Sequence, residues 1–220
     1  MTLRAFAFGL SFMSLPVQAC DLALVLAVDV SGSVDSREYR MQMEGLAEAL
    51  RDGIVIDALV DQQAMVSLIQ WTGTTRQKRT VDWRQIGSAS DVLALADLIA
   101  SDERVWRNYS TAIGEALRAA QDALLEVPQC RRKIIDVSGD GVSNEGPMPA
   151  TRHAALKAMG VTVNALAIET DDTDLTAWFF ENLILGEGAF VMTAHGFEDY
   201  PETIRRKLQR ETTRQLSRLE

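Results

Sequence analysis

Asp29, Ser31 and Ser33 fall on alternate positions of the segment Asp29-Val30-Ser31-Gly32-Ser33. Alternate side chains of an extended chain point the same way. The segment therefore presents one carboxylate and two hydroxyls on one side, and Gly32 lets the backbone turn as it leaves. Two further oxygen side chains stand in comparable places. Thr111 opens a segment with helical apolar spacing, and Asp140 lies between Gly139 and Gly141. Small oxygen ligands suit a hard divalent cation. Magnesium takes six oxygens in octahedral geometry and usually keeps some waters. The three hydroxyls position an ion without cancelling its charge, and only Asp29 and Asp140 are anionic. If one carboxylate acts through a bridging water, the ion stays electrophilic at an open position. An external carboxylate is the natural ligand there, and such binding breaks no bond. The expected cofactor is Mg2+ or Mn2+.

Three distant segments must then meet at one place. Leu22 to Val30 is a nearly continuous apolar run, as expected of a strand buried on both faces. Ala64 to Trp71, Lys133 to Val137, Val161 to Ile168 and Ala189 to Met192 read as further strands, and Arg76 to Val81 as a short polar edge strand. Helices are expected from Asp35 or Ser36 to about Asp52, and over 91–100, 111–126, 149–159 and 175–185. A C-terminal helix closes the chain. Alternation of strands and helices implies an α/β fold, a doubly wound, mostly parallel sheet with helices on both faces. Ligands of such sheets sit at the carboxyl ends of strands, where the winding reverses. Asp29 and Asp140 each end an apolar strand.

Residues 1–19 read differently: Arg4, an apolar run from Ala5 to Leu15, then Pro16-Val17-Gln18-Ala19. That is the layout of a secretory signal peptide, with an apolar run too short to span a bilayer. Its removal takes Arg4 alone among the charges and leaves 21 basic residues against 31 acidic ones, a balance of −10. So acidic a chain is a poor partner for nucleic acid or anionic lipid. No later stretch reaches transmembrane length. The exception to the acidity is the C-terminal run Arg205-Arg206-Lys207 with Arg210, Arg214 and Arg218, read as the solvated basic face of a docked amphipathic helix. Cys20 and Cys130 are the two cysteines, an even count that in an exported chain suggests one disulfide. An exported, periplasmic or secreted protein is expected. Cys20 would also be the first residue after cleavage, where a lipoprotein anchor attaches, but Gln18 stands where lipoprotein signals usually carry a small residue.

Asp-x-Ser-x-Ser, then Thr111, then Asp140-Gly141 resembles the metal-ion-dependent adhesion site (MIDAS) of von Willebrand factor A (VWA) domains. The surrounding text is similar too: LALVLAVDVSGSV at the first strand, STAIGEAL at the threonine and IIDVSGDGVSN at the second aspartate. More narrowly, the chain resembles a bacterial exported VWA-type group classed as a domain of unknown function. The resemblance spans nearly all of residues 21–195. It implies a six-stranded sheet with one antiparallel edge strand and a VWA domain over 20–196, followed by a C-terminal helix over 197–220, packed on the domain or extending from it. It also implies Asp29, Ser31, Ser33, Thr111 and Asp140 as the metal ligands. Two departures stand out. Asn108-Tyr109-Ser110 replaces the glycines that often precede the threonine, and Gly139 stands where threonine usually precedes the second aspartate. In the VWA strand order the first and fourth strands are parallel neighbours. Cys20 lies nine residues before Asp29 and Cys130 ten before Asp140. The family's topology thus brings the two cysteines together at the end of the sheet opposite the aspartates.

The function implied is a non-enzymatic, cation-dependent protein-binding module of the cell envelope that grips an Asp or Glu of a protein partner. Arg104, Trp106 and Arg107, before Thr111, and Asn144 and Glu145, after Asp140, are the expected partner-binding residues. Two alternatives stay open. One is a magnesium-dependent phosphotransferase of the haloacid dehalogenase type, although such enzymes usually carry a second acid where this chain has Ser31. The other is a metal-independent scaffold subunit of an envelope complex.

Overall fold

Four apolar strands set the frame. β1 (Leu22–Asp29) is buried at all eight positions. β2 (Met65–Trp71), β4 (Arg132–Gly139) and β5 (Val161–Ile168) are almost as enclosed. The computed structural model describes residues 20–170 and 174–213. The signal-peptide expectation for residues 1–19 and the tail from residue 214 lie outside them. With the edge strands β3 (Gln77–Gln85) and β6 (Val191–Ala194), the sheet has the order β3-β2-β1-β4-β5-β6. All pairs are parallel except β2 with β3. This is the expected six-stranded, mostly parallel sheet with one antiparallel edge strand. Polar residues such as Lys78, Arg79 and Arg84 fit β3 to its edge position.

Alternation along β1 divides the core. Leu22, Leu24, Leu26 and Val28 face one layer, and Ala23, Val25 and Ala27 the other. The leucine face is covered by α1 (Ser36–Leu50), α2 (Gly53–Asp61), α3 (Ala89–Ala100) and α7 (Tyr200–Thr212). The alanine face is covered by α4 (Ile113–Leu124), whose Ala116, Ala120 and Ala123 allow close approach. α5 (His153–Ala158) and α6 (Leu175–Asn182) complete that layer.

Several expected helices are subdivided. The helix expected to reach Asp52 ends at Leu50, and the Asp52 carboxylate accepts from Ile54 N and Val55 N to start α2. The helix expected over 149–159 begins as a 3-10 turn, Pro149–Arg152. The one expected to reach Leu185 stops at Asn182, because Leu185 bridges Val163 at the sheet.

Cys20 and Cys130 form a disulfide with their Cα atoms 4.6 Å apart. It lies where β1 and β4 begin, while Asp29 and Asp140 stand where they end.

α7 corrects one reading. Arg206 and Arg210 lie at the surface, but Lys207 is fully buried. Its ammonium reaches Asp136 of β4 and, at 2.5 Å, Glu211 one turn on. A strand buried on both faces that carries an aspartate needs a cation beside it, and the helix supplies one.

Candidate metal centre

The sheet changes its winding direction at β1, with β2 on one side and β4 on the other. Such a switch point leaves a crevice at the carboxyl ends of the strands. Asp29 is the last residue of β1 and Asp140 the first after β4. Val28 is registered with Ser138, so Asp29 runs level with Gly139.

The chain leaving β1 turns tightly. Asp29 Oδ1 accepts from Ser31 N at 2.7 Å, and Val34 N donates to Ser31 O. Asp35 then caps α1, accepting from Arg37 N and Glu38 N, while the Glu38 carboxylate accepts from Asp35 N. This capping box fixes the loop from below. Ser31 Oγ and Ser33 Oγ are 3.3 Å apart, and Ser33 Oγ donates to Asp140 Oδ1 at 2.7 Å. Thr111 is buried just before α4. Its N–H donates to Asn144 Oδ1 and its carbonyl accepts from Asn144 N, both at 2.9 Å. Its hydroxyl faces the Asp140 loop, 3.8 Å from where a Cβ on Gly141 would stand. Four of the five expected oxygen residues are thus joined by hydrogen bonds, and Thr111 borders them.

Asp29 Oδ2 is buried and has no hydrogen-bond partner. Burial, then the charge of Asp140, raises the Asp29 carboxyl well above its usual range. Burial raises Asp140 as well, against the Ser33 hydroxyl that favours its charged form. A buried carboxylate beside a partly buried one favours a cation. The donor set fits a hard one, since it consists of two acids and three hydroxyls. Among the described residues no group of three or more His, Cys, Asp or Glu is placed to hold a metal ion. His153 lies against Leu183 O and His195 beside Asp199, on separate elements.

Both departures from the VWA pattern have a local cause. A Cβ on Gly139 would stand 2.9 Å from Asp29 Oδ2, so glycine lets the carboxylate lie against β4. Asn108 adopts φ +60, the left-handed conformation that Asn tolerates better than most non-glycine residues. That turn carries Tyr109 O to Gly32 N at 2.7 Å.

The expected partner-binding residues divide. Arg104 donates from Nη2 to the carbonyls of Val30 and Ser31, both at 2.9 Å, and so fastens the metal loop. Asn144 holds Thr111. The Glu145 carboxylate accepts from Thr74 N and Thr74 Oγ1. Trp106 packs partly buried against the core. Only Arg107 is exposed and without a fastening contact. No residue spacing marks the fasteners Gln42, which donates to Asp29 O, or Thr72, whose hydroxyl donates to Ser110 O. Both look like ordinary polar residues of a helix and a strand end.

The family described as "Protein of unknown function (DUF1194)" matches residues 19–216. No curated protein matches the chain. Among solved structures, the chain is similar to proximal thread matrix protein 1 from the mussel byssus with a zinc-occupied MIDAS motif. The TM-score is 0.66 at 16% identity, over 86–88% of this chain in the forms compared and 46% of that one in the zinc form. It is also similar to a von Willebrand factor type A protein from Catenulispora acidiphila, with a TM-score of 0.60 at 19% identity over 88% of this chain and 42% of that one. The open form of the pilus adhesin SpaC from Lactobacillus rhamnosus GG gives 0.62 at 17% identity, over 88% and 30%. The chain spans less than half the length of each, and at these identities the likeness establishes a VWA-like fold.

Proposed function

The chain belongs to the DUF1194 family, and on that premise we propose that it is a cation-dependent protein-binding module of the cell envelope. Asp29, Ser31, Ser33, Thr111 and Asp140 hold Mg2+ or Mn2+, and an Asp or Glu of a protein partner completes the coordination. The observation that carries this reading is the buried, unpartnered Asp29 Oδ2 beside Asp140, in a crevice otherwise lined by hydroxyls. Asp29 and Asp140 bring two negative charges and the hydroxyls none. If one carboxylate stands off behind water, the ion keeps a position and charge for an external acid. On a chain of net charge −9, that cation supplies the local attraction an acidic partner needs. The export expected from the sequence agrees with the disulfide, since such bonds persist in oxidising compartments. Among the described residues no helix is long and apolar enough to cross a membrane.

Magnesium is expected to raise the melting temperature of the wild type and to leave that of Asp140→Ala unchanged. An equal rise in both would rule out the site as drawn. Proteins captured from an envelope extract in magnesium should elute with EDTA, and Ser31→Ala should capture less while melting normally. Capture indifferent to EDTA and to Ser31→Ala would favour a metal-independent scaffold.

A further inference from the structure

The rim of the crevice carries groups that the ligand set does not use. Arg76, in the turn after β2, places its guanidinium carbon 3.7 Å from the centroid of the Tyr109 ring. The ring stays 42% exposed. Tyr109 is anchored at the metal loop through its carbonyl, which accepts from Gly32 N. Arg107 is exposed two residues earlier, close enough to Arg104 for their charges to oppose each other. Several arginines lie beside an acid, as Arg51, Arg79, Arg118 and Arg205 do. Arg76 and Arg107 form no ion pair among the described residues. Arg76 and Arg107, which flank Tyr109 by stacking and in sequence on a chain with 31 acidic residues, offer positive charge to an incoming carboxylate. Val142, on the loop leaving Asp140, adds an apolar surface that is 43% exposed.

Resting on the function proposed above, we infer that Arg76, Tyr109 and Arg107 form a second recognition platform beside the metal. The platform fits an acidic peptide segment in which one carboxylate goes to the metal and a second, next to an apolar or aromatic side chain, goes to the arginines. Stacking holds the Arg76 guanidinium in place while its edge stays free to donate, so less freedom is lost on binding. The Tyr109 ring and Val142 take the apolar neighbour. Because the platform is exposed, its contribution falls as salt rises.

The test is a random peptide library displayed on phage and selected on the full chain in magnesium. The enriched peptides should carry two acidic residues with an apolar or aromatic residue between or beside them. A synthetic peptide of that sequence should bind Arg76→Gln/Arg107→Gln about tenfold more weakly than wild type, as two exposed ion pairs imply, and should still be released by EDTA. Replacing its second acid by the amide should weaken binding to wild type and leave binding to the double variant unchanged. Arg107→Gln alone, at a side chain that fastens nothing, should give part of the loss with an unaltered melting curve. A pool with one acid and no second preference overturns the inference, as does equal binding by the double variant. If no peptide is held, the inference fails by itself when magnesium still stabilises wild type but not Asp140→Ala. Without that stabilisation, the proposed function fails first and takes the platform with it.

Discussion

Asp136 and Glu211 on the α7 face of the sheet, and Asp29 and the partly buried Asp140 at the carboxyl ends of the strands, are two pairs of acids wholly or partly withdrawn from water. The first pair receives its counter-charge from the chain itself, since Lys207 touches both carboxylates. The second pair faces hydroxyls and backbone N–H groups. Arg104, the nearby cation, spends its Nη2 donor on the carbonyls of Val30 and Ser31. A built-in ammonium makes the first pair a permanent part of the core and favours one register for α7, because a slipped helix would part Lys207 from Asp136. The second pair has no ammonium in contact, and on the proposed function a cation that diffuses in neutralises it. One arrangement serves the fold, and the other leaves part of the stability conditional on solution conditions.

The hardest blow to this contrast falls on the first pair. Lys207→Met should cost about 3–5 kcal/mol in urea unfolding, the usual effect of stripping one partner from a buried ion pair. Adding Asp136→Asn and Glu211→Gln should return most of it. A loss near zero for Lys207→Met would mean that the ammonium is not what neutralises the acids. The same cluster predicts a pH dependence. Burial, then the charge of Asp136, pushes the Glu211 carboxyl from 4.5 up to about 8, while Lys207 opposes the rise. Glu211 also faces the buried Tyr200 phenol. A group whose pKa is raised on folding contributes stability below its unfolded pKa and loses it through the folded one. Stability should therefore decline between about pH 4.5 and 8, and Glu211→Gln should flatten the decline.

The second pair should answer to metal. At a concentration about 100-fold above the dissociation constant, magnesium should add about 2.7 kcal/mol to wild type. Lys207→Met should keep that increment although its baseline is lower, which separates the two pairs by denaturation alone. The smallest effect is expected from Gly139→Ala. Its methyl group would crowd Asp29 Oδ2 and cost about 1–2 kcal/mol, with a weakened response to magnesium. A full response would show that the close approach of Asp29 to β4 is not needed for binding.

How much could be read in advance differs between the pairs for a physical reason. Asp29 and Asp140 end apolar strands next to glycine and serine, so local spacing marked them. Strands β1, β2, β4 and β5 were legible as apolar runs, and β3 as a polar edge. Lys207 sits among arginines that are solvated, and sequence spacing alone put it on their face. The available clue lay elsewhere, in the aspartate within Ile134-Ile135-Asp136-Val137. An acid inside a doubly buried strand demands a partner, yet nothing local says which helix provides it. Arg104, Asn144 and Glu145 were read as partner-binding because of their loops. Which way a loop side chain turns depends on carbonyls and hydroxyls from distant segments, such as Val30 and Thr74. α2 is not expected from the sequence because the first helix is read as running to about Asp52, whereas Asp52 caps the next helix.

The disulfide also decides how the domain would carry mechanical load. Cys20 and Cys130 close a covalent loop across a sequence separation of 110. Tension applied through the chain on either side passes from Cys20 straight to Cys130, so the segment between them bears none while the bond is intact. Asp29, Ser31, Ser33 and Thr111 lie inside that shielded loop, and Asp140 lies outside it. Pulling would therefore peel β4 and the Asp140 loop away from the otherwise unstrained residues of the proposed site, so that Asp140 is where force would meet the proposed metal binding.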